Sequence, residues 1–124
     1  MKIVVGTEDG KKISKTHFGM SKIFVTYEVI NGEIRNVTQM ENPVVAEHRH
    51  AEAEDIIKIL GDADIFIGRS MGRESVPKLI ENKIIPYLTR LEESDEAVTK
   101  LIDGEMEYFY EWDVNERKFV PAKK

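Results

Sequence analysis

Alternating apolar and polar segments in the first third of the chain predict three consecutive β-strands. Residues 2–6 form an apolar run that leads into turn-forming residues, and residues 23–30 are rich in β-branched and aromatic side chains. Asn31-Gly32 follows at once, and residues 33–40 then continue with regularly spaced apolar positions. Because Asn-Gly between two such segments is the strongest short signal for a β-hairpin, we expect the second and third strands to pair directly.

Helical spacing of apolar residues begins after residue 51, and helices then alternate with short strands. Residues 63–68 are apolar on both faces, as in a central parallel strand, and residues 84–88 contain a proline that is typical of a position near a sheet edge. The pattern predicts the order β-β-β-α-β-α-β-α, an α/β fold in which helices cover a mixed sheet. The helical positions are Ala53, Ile56, Ile57 and Leu60, then Val76, Leu79 and Ile80, then Ala97, Val98, Leu101 and Ile102.

Residues 105–124 differ in pattern from the rest of the chain. Tyr108, Tyr110 and Trp112 occupy alternate positions, as in a strand with one aromatic face. We therefore divide the chain into an α/β domain, residues 1–104, and a C-terminal extension, residues 105–124, that forms an aromatic arm or hairpin. Such an arm is typical of packing or of dimer formation.

Composition excludes several classes of function. The chain has no cysteine, which rules out disulfides, clusters held by thiolates and a cysteine nucleophile. Its formal charge of −5 argues against nucleic-acid binding, which requires a basic surface. No apolar run approaches the roughly 18 residues of a membrane span, and no signal segment is present, so we expect a cytoplasmic protein without membrane contact.

All three histidines lie in predicted loops that directly follow predicted strands. His17 follows the first strand, and His48 and His50 follow the third. If the first strand points up, the third also points up, so both loops lie at one rim of the sheet, where α/β proteins bind ligands. Imidazole is the group best suited to hold a metal here. The alternative is a hydrogen-bonding role for His17 and two solvated histidines in the later loop.

The loop after the fourth strand reaches the same rim and carries glycines and arginines. Gly68 and Gly72 allow backbone N–H groups to face an anion, and Arg69 and Arg73 could add charge-assisted hydrogen bonds. The alternative is a tight turn between a strand and a helix. Met20, Met40 and Met71 also lie near these loops and offer soft thioether contacts or simply fill the core.

Three segments together resemble a known family. These are residues 13–19, which contain His17-Phe18-Gly19; Asn42-Pro43 with His48-x-His50; and residues 63–68 with Met71-Gly72 and Leu79. In this order and spacing the chain resembles the dinitrogenase iron-molybdenum cofactor biosynthesis family from about residue 2 to residue 104. The extension beyond residue 104 lies outside the resemblance.

The resemblance implies a ribonuclease H-like three-layer fold with a five-stranded mixed sheet. It also implies a protein that binds, carries or inserts an iron-sulfur or iron-molybdenum cofactor, or its precursor, and is not an enzyme. By matching, His17 is the implicated ligand. We predict metal ligation by His17, His48 and His50, and cofactor binding by His17, Gly19, Gly68, Arg69, Gly72 and Arg73. Partners would be the metal-sulfur cofactor and an accessory protein or a second copy of the chain.

Two other classes of function are considered. The first is a regulatory or interaction module that binds a small anion, or a protein partner through the aromatic tail, and no metal. The second is a hydrolase. A ribonuclease H-type nuclease needs a carboxylate within the first strand, but Ile3, Val4 and Val5 stand there, and no Ser-His-Asp pattern is present. The hydrolase is therefore disfavoured.

Overall fold

A mixed sheet of seven strands forms the centre of this computed structural model, which describes residues 1–47 and 52–123. Its order is β3-β2-β1-β4-β5-β6-β7. Strands β1, β4 and β5 are mutually parallel, and β3 runs in the same direction because two antiparallel pairings separate it from β1. The carboxyl ends of these four strands therefore share one edge of the sheet. The strands are β1 (Lys2–Thr7), β2 (Ile23–Ile30), β3 (Glu33–Glu41), β4 (Ile65–Gly68), β5 (Ile85–Thr89), β6 (Phe109–Asp113) and β7 (Lys118–Pro121).

Alternation along the central strands sends apolar side chains to both faces of the sheet. Ile3 and Val5 of β1 join one buried cluster, and Val4 between them joins the other. In β4, Phe66 lies in the cluster of Val4, and Ile67 lies in the cluster of Ile3 and Val5. Strands that are apolar on both faces need a covering layer on each side.

Helices supply these layers on the two faces. Helices α2 and α3 bury Ile56 and Leu79 with Val4, whereas α4 buries Ala97 and Val98 in the opposite cluster. The predicted α/β fold with a mixed sheet is confirmed. Within residues 1–47 and 52–123, none of the helices has the length and apolar character that a membrane crossing requires. The helices are α1 (Pro43–Ala46), α2 (Ala53–Leu60), α3 (Val76–Glu81) and α4 (Ser94–Ile102), with 3₁₀ turns at Phe18–Met20 and Met106–Tyr108.

The expected five-stranded sheet is wrong, because the extension adds two strands to it. Strand β6 pairs antiparallel with β5, which places Tyr110 opposite Leu88, and β7 pairs antiparallel with β6. Phe109 at the start of β6 is 1% exposed in the cluster beneath α4. The tail is a hairpin that covers the edge of β5 and contributes to the core. The division at residue 104 into domain and extension stays a prediction.

The hairpin predicted at Asn31-Gly32 is present. Strands β2 and β3 pair up to Ile30 and Glu33, which leaves a two-residue turn between them. Asn31 and Gly32 have φ angles of 52° and 77°. Positive φ at both central residues is the geometry of the turn that matches the twist of a β-hairpin.

Tyr27 ties α4 to the sheet. Its buried hydroxyl donates to Asp95 Oδ1 at 2.6 Å and lies 2.7 Å from Ser94 Oγ. Burial and the Asp95 hydrogen bond raise the pKa of Tyr27 above the ordinary value for tyrosine. The hydroxyl therefore stays protonated at physiological pH and fixes the first turn of the helix.

Candidate functional site

Phe18 anchors the loop that follows β1 to the sheet. Its ring stacks on Phe66 with centroids 4.4 Å apart and lies 5.1 Å from the ring of Phe24. Two glycines make room for it, since a Cβ at Gly6 would lie 3.1 Å from Phe18 Cδ2 and a Cβ at Gly68 would lie 3.2 Å from Phe18 Cβ. Phe18 is 4% exposed, whereas the preceding histidine is at the surface. The buried ring thus fixes the position from which the imidazole projects.

His17 is joined directly to the loop after β4. Its Nδ1 lies 2.6 Å from Ser70 Oγ, and the backbone N–H of Phe18 donates to the Ser70 carbonyl at 2.8 Å. His17 and Ser70 also form a parallel β-bridge. Across the described part of the chain, no group bonds Nε2 of His17. In the tautomer that donates the Nδ1 proton to Ser70 Oγ, the hydroxyl orients the ring and Nε2 keeps a lone pair for a ligand.

Asn42 holds the same loop from the other side. Its side-chain amide donates to the carbonyls of Gly19 and Ser21, both at 2.8 Å, and its Oδ1 accepts the N–H of Val44 at 3.1 Å. Asn42 is completely buried. It therefore caps α1 and ties the end of β3 to the His17 loop. Asn-Pro predicts a strand end, but the helix and the contact with the loop require the folded chain.

A cavity of about 500 Å³ opens beside His17, between the loop and helices α2 and α3. This volume lies within the range of small-molecule and cofactor sites, roughly 300–1,000 Å³. Gly19, Met20 and Gly72 line it near the loops. Its apolar lining is formed by Phe18, Ala53, Ile56, Phe66, Met71 and Leu79. Its polar lining is formed by His17, Glu52, Arg73, Glu74, Ser75 and Lys78.

Most charged groups of the lining are already engaged with other parts of the protein. Lys78 forms an ion pair with Glu54, and Glu52 closes a capping box at the start of α2. Arg73 instead donates from Nε and Nη2 to the backbone carbonyl of Arg117, at 3.2 and 3.0 Å. Among residues 1–47 and 52–123 no carboxylate pairs with Arg73, and the neutral carbonyl leaves its positive charge uncompensated. Of the cations in the lining, Arg73 is therefore the one suited to an anionic ligand.

The predicted residues are not all at this cavity. His17, Gly19, Gly72 and Arg73 line it, whereas Gly68 lies beneath Phe18. Arg69 is not part of the lining, because its Nη2 donates to the carbonyl of Leu91 at 2.9 Å. Met20 and Met71 line the cavity, and Met40 on β3 does not.

The predicted ligands His48 and His50 lie outside the described residues. The chain before them is described as far as Glu47, and the first described residue after them, Glu52, lines the cavity. Their part in the site stays a prediction. Ser70, by contrast, is a site residue that sequence reasoning missed. A serine between two glycines in a strand-end loop is the signal that could have drawn attention to it.

The donor atoms at the cavity are better suited to a cofactor that has ligands of its own than to a bare metal ion. Within residues 1–47 and 52–123, no group of three or more histidine, aspartate or glutamate side chains is placed to enclose a metal. The cavity does offer one oriented imidazole, and it offers the thioethers of Met20 and Met71. These are borderline and soft donors, which suit iron and metal-sulfur groups. A group with sulfide ligands of its own needs few protein donors.

Several solved structures share this fold. Orange protein from Desulfovibrio gigas, in its apo form, has a TM-score of 0.69 at 18% identity, over 84% of this chain and 88% of that one. A Thermotoga protein provisionally named NifB has a TM-score of 0.67 at 15% identity, over 98% of this chain and 97% of that one. A Methanocaldococcus jannaschii protein provisionally named a dinitrogenase has a TM-score of 0.65 at 19% identity, over 85% of this chain and 90% of that one. At such identities the likeness concerns the fold.

Sequence comparison gives the family. No curated protein matches the chain. The family model for the dinitrogenase iron-molybdenum cofactor matches residues 1–104, which confirms the resemblance seen in the three segments around His17, Asn42 and Met71. The chain belongs to the dinitrogenase iron-molybdenum cofactor family.

Proposed function

We propose that this protein binds and carries a metal-sulfur cofactor, or a precursor of one, at the cavity beside His17, and that it catalyses no reaction itself. The observation that carries the proposal is the oriented imidazole beside the cavity, with Nδ1 bound to Ser70 and no described group on Nε2. Membership of the family suggests the class of cargo, an iron-sulfur or iron-molybdenum cofactor. The ribonuclease H-like fold implied by the resemblance belongs to the same proposal.

The chemistry of the lining supports a cargo with a soft, weakly hydrated body and a charged edge. The imidazole of His17 would donate to iron, and the thioether of Met71 would offer soft contact to a sulfide-rich surface without competing as a strong ligand. Arg73 offsets negative charge at the opening. His48 and His50 are predicted to complete the ligand set. We also propose that the protein delivers this cargo, in the cytoplasm, to an accessory protein or to a second copy of the chain.

Anaerobic reconstitution tests the carrier function. After incubation with ferrous iron and sulfide and then desalting, we expect the wild-type protein to retain iron and a sulfide-to-iron absorption band. We expect His17→Ala to retain at least about tenfold less, because a ligand is lost. The control is Thr99→Ala, an exposed position on α4. A His48→Ala, His50→Ala double variant reports the contribution of these two histidines.

Two results would count against the carrier function. Equal iron retention by the wild type and by a variant with His17, His48 and His50 all replaced by alanine would remove the histidines from the site. Retention of an anion such as phosphate, with no uptake of iron and sulfide, would favour the regulatory module instead.

Ser70 is expected to act on the cargo through His17. Ser70→Ala removes the oxygen at Nδ1, so the imidazole loses its fixed orientation, and we expect affinity for reconstituted iron-sulfur cargo to fall about tenfold or more. Ser70→Thr keeps a hydroxyl and should bind nearly as the wild type does. Nitrogen chemical shifts of the His17 ring, measured by NMR on the apo protein, report the tautomer independently of uptake. Unchanged ring shifts and affinity in Ser70→Ala would contradict this role.

A further inference from the structure

Two aromatic side chains of the C-terminal hairpin pack on the same face of the sheet as the cavity. Trp112 of β6 and Phe119 of β7 meet edge to face, with ring centroids 5.2 Å apart. Both rings pack against the buried cluster that also contains Phe18 and Met71. The fold of the Thermotoga protein matches 98% of this chain, so that likeness extends past residue 104 into the hairpin.

The turn of this hairpin has a defined backbone. Asp113 Oδ1 accepts the N–H groups of Asn115 and Glu116 at 2.9 and 3.0 Å, and the Asp113 carbonyl accepts the N–H of Arg117 at 2.8 Å. Arg117 has a φ of 54°, which closes the turn before β7 resumes its pairing at Lys118. Its carbonyl is therefore held in one direction by the turn.

That carbonyl is the acceptor for Arg73. Two nitrogens of the guanidinium, Nε and Nη2, donate to this one oxygen, which fixes both the position and the plane of the group. Arg73 belongs to the cavity lining, whereas Arg117 lies 44 residues away in the extension. The hairpin thus reaches the edge of the site through a backbone acceptor and leaves the guanidinium charge uncompensated by that contact.

We infer that the C-terminal hairpin is part of the cargo site: its turn, residues 114–117, holds Arg73 at the cavity opening, where the guanidinium selects a metal-sulfur group of net negative charge. This inference rests on the proposed carrier function. It adds the sign of the cargo's charge, and it gives the extension a positioning role. Glu74, the carboxylate next to Arg73 in the lining, opposes the same charge and provides a test of sign.

Titration with tetrathiomolybdate, a coloured dianion with molybdenum-sulfur bonds, tests the role of the hairpin in the full-length protein. One variant is Arg73→Gln. A second replaces residues 114–117 by Asn-Gly, which keeps the pairing of β6 with β7 through a two-residue turn but removes the Arg117 carbonyl. We expect Arg73→Gln to weaken binding about tenfold, the loss of one charge-assisted hydrogen bond, and the turn variant to weaken it about threefold or more.

The double variant decides whether the two changes act through one group. If the turn works through Arg73, the double variant binds within about twofold of Arg73→Gln alone, because the effects are not additive. The charge-matched control is Arg35→Gln, at an exposed position on β3 beside Glu33. Circular dichroism and the thermal midpoint show that the turn variant keeps its fold.

Glu74→Gln tests the sign of the cargo's net charge. For an anionic cargo we expect tetrathiomolybdate to bind roughly two- to fivefold more tightly to this variant, since an exposed repulsive charge is removed. Binding of cobalt(II), a bare cation, should not tighten.

Failure of the inference can be told apart from failure of the carrier function. Wild-type affinity in the turn variant, or weaker tetrathiomolybdate binding by Glu74→Gln, overturns the inference while iron and sulfide uptake through His17 stands. Absence of iron, sulfide and tetrathiomolybdate binding by the wild-type protein overturns both.

Discussion

Replacement of Phe18 by alanine is expected to lower the free energy of unfolding by about 3–5 kcal/mol, the usual cost of truncating a buried phenylalanine. The ring stacks on Phe66 and packs against Phe24 in the cluster below α2 and α3. Gly6 and Gly68 lie against it and have no side chains that could move into the space that the ring leaves. A cavity then remains beneath the loop. The imidazole of His17 loses its support, and uptake of iron and sulfide should fall as well.

Chemical denaturation monitored by circular dichroism measures this loss. Phe18→Leu retains most of the apolar volume and should cost less than Phe18→Ala. Phe109→Leu, in the buried cluster on the opposite face of the sheet, shows what a similar exchange costs where the His17 loop does not depend on the ring. Unfolding of Phe18→Ala at the same denaturant concentration as the wild type would contradict the anchoring of the His17 loop by the Phe18 ring.

The regular part of the fold could be predicted because its signals are local. Asn31-Gly32 fixes a turn with positive φ at two residues, and the apolar spacing from Ala53 to Leu60 marks one face of a helix. The alternation in Tyr108, Tyr110 and Trp112 likewise indicated a strand. The alternation did not show which strand it would pair with, because the edge of β5 is formed by residues distant in the sequence.

The site was predictable only in part, because it depends on contacts between loops. Sequence reasoning placed Arg69 and Arg73 together at one anion site. In the structure Arg69 donates to Leu91 near α4, whereas Arg73 lies at the cavity on the opposite face of the sheet. The apolar pattern ends at Gly68, so nothing in the sequence indicated which way each arginine would point. The hydrogen bond between His17 and Ser70 spans 53 positions of sequence and has no local signal.

Gly6 explains why the loop can sit so close to the first strand. It is buried in β1 opposite Phe24, and a Cβ there would overlap Ser21 Oγ and lie 3.1 Å from Phe18 Cδ2. Ser21 is completely buried. Gly6→Ala therefore forces the loop outward, and we expect it to lower the free energy of unfolding by about 1–3 kcal/mol, the usual cost of overpacking. The atom nearest to a Cβ at Gly68 is Phe18 Cβ, at 3.2 Å, so Gly68→Ala should cost less.

A second substitution should reverse most of the Gly6→Ala effect. Within residues 1–47 and 52–123 Ser21 Oγ has no hydrogen-bond partner, so Ser21→Ala alone removes an unsatisfied polar atom and should cost little stability. In the Gly6→Ala, Ser21→Ala double variant the overlapping oxygen is gone, and the two remaining close approaches, to Phe18 Cδ2 and to Ser21 Cβ, are both 3.1 Å. Denaturation of the four proteins gives a double-mutant cycle, in which we expect a favourable coupling between the two substitutions. Strictly additive losses would mean that the loop does not rest on Gly6, and the position of His17 would then need another cause.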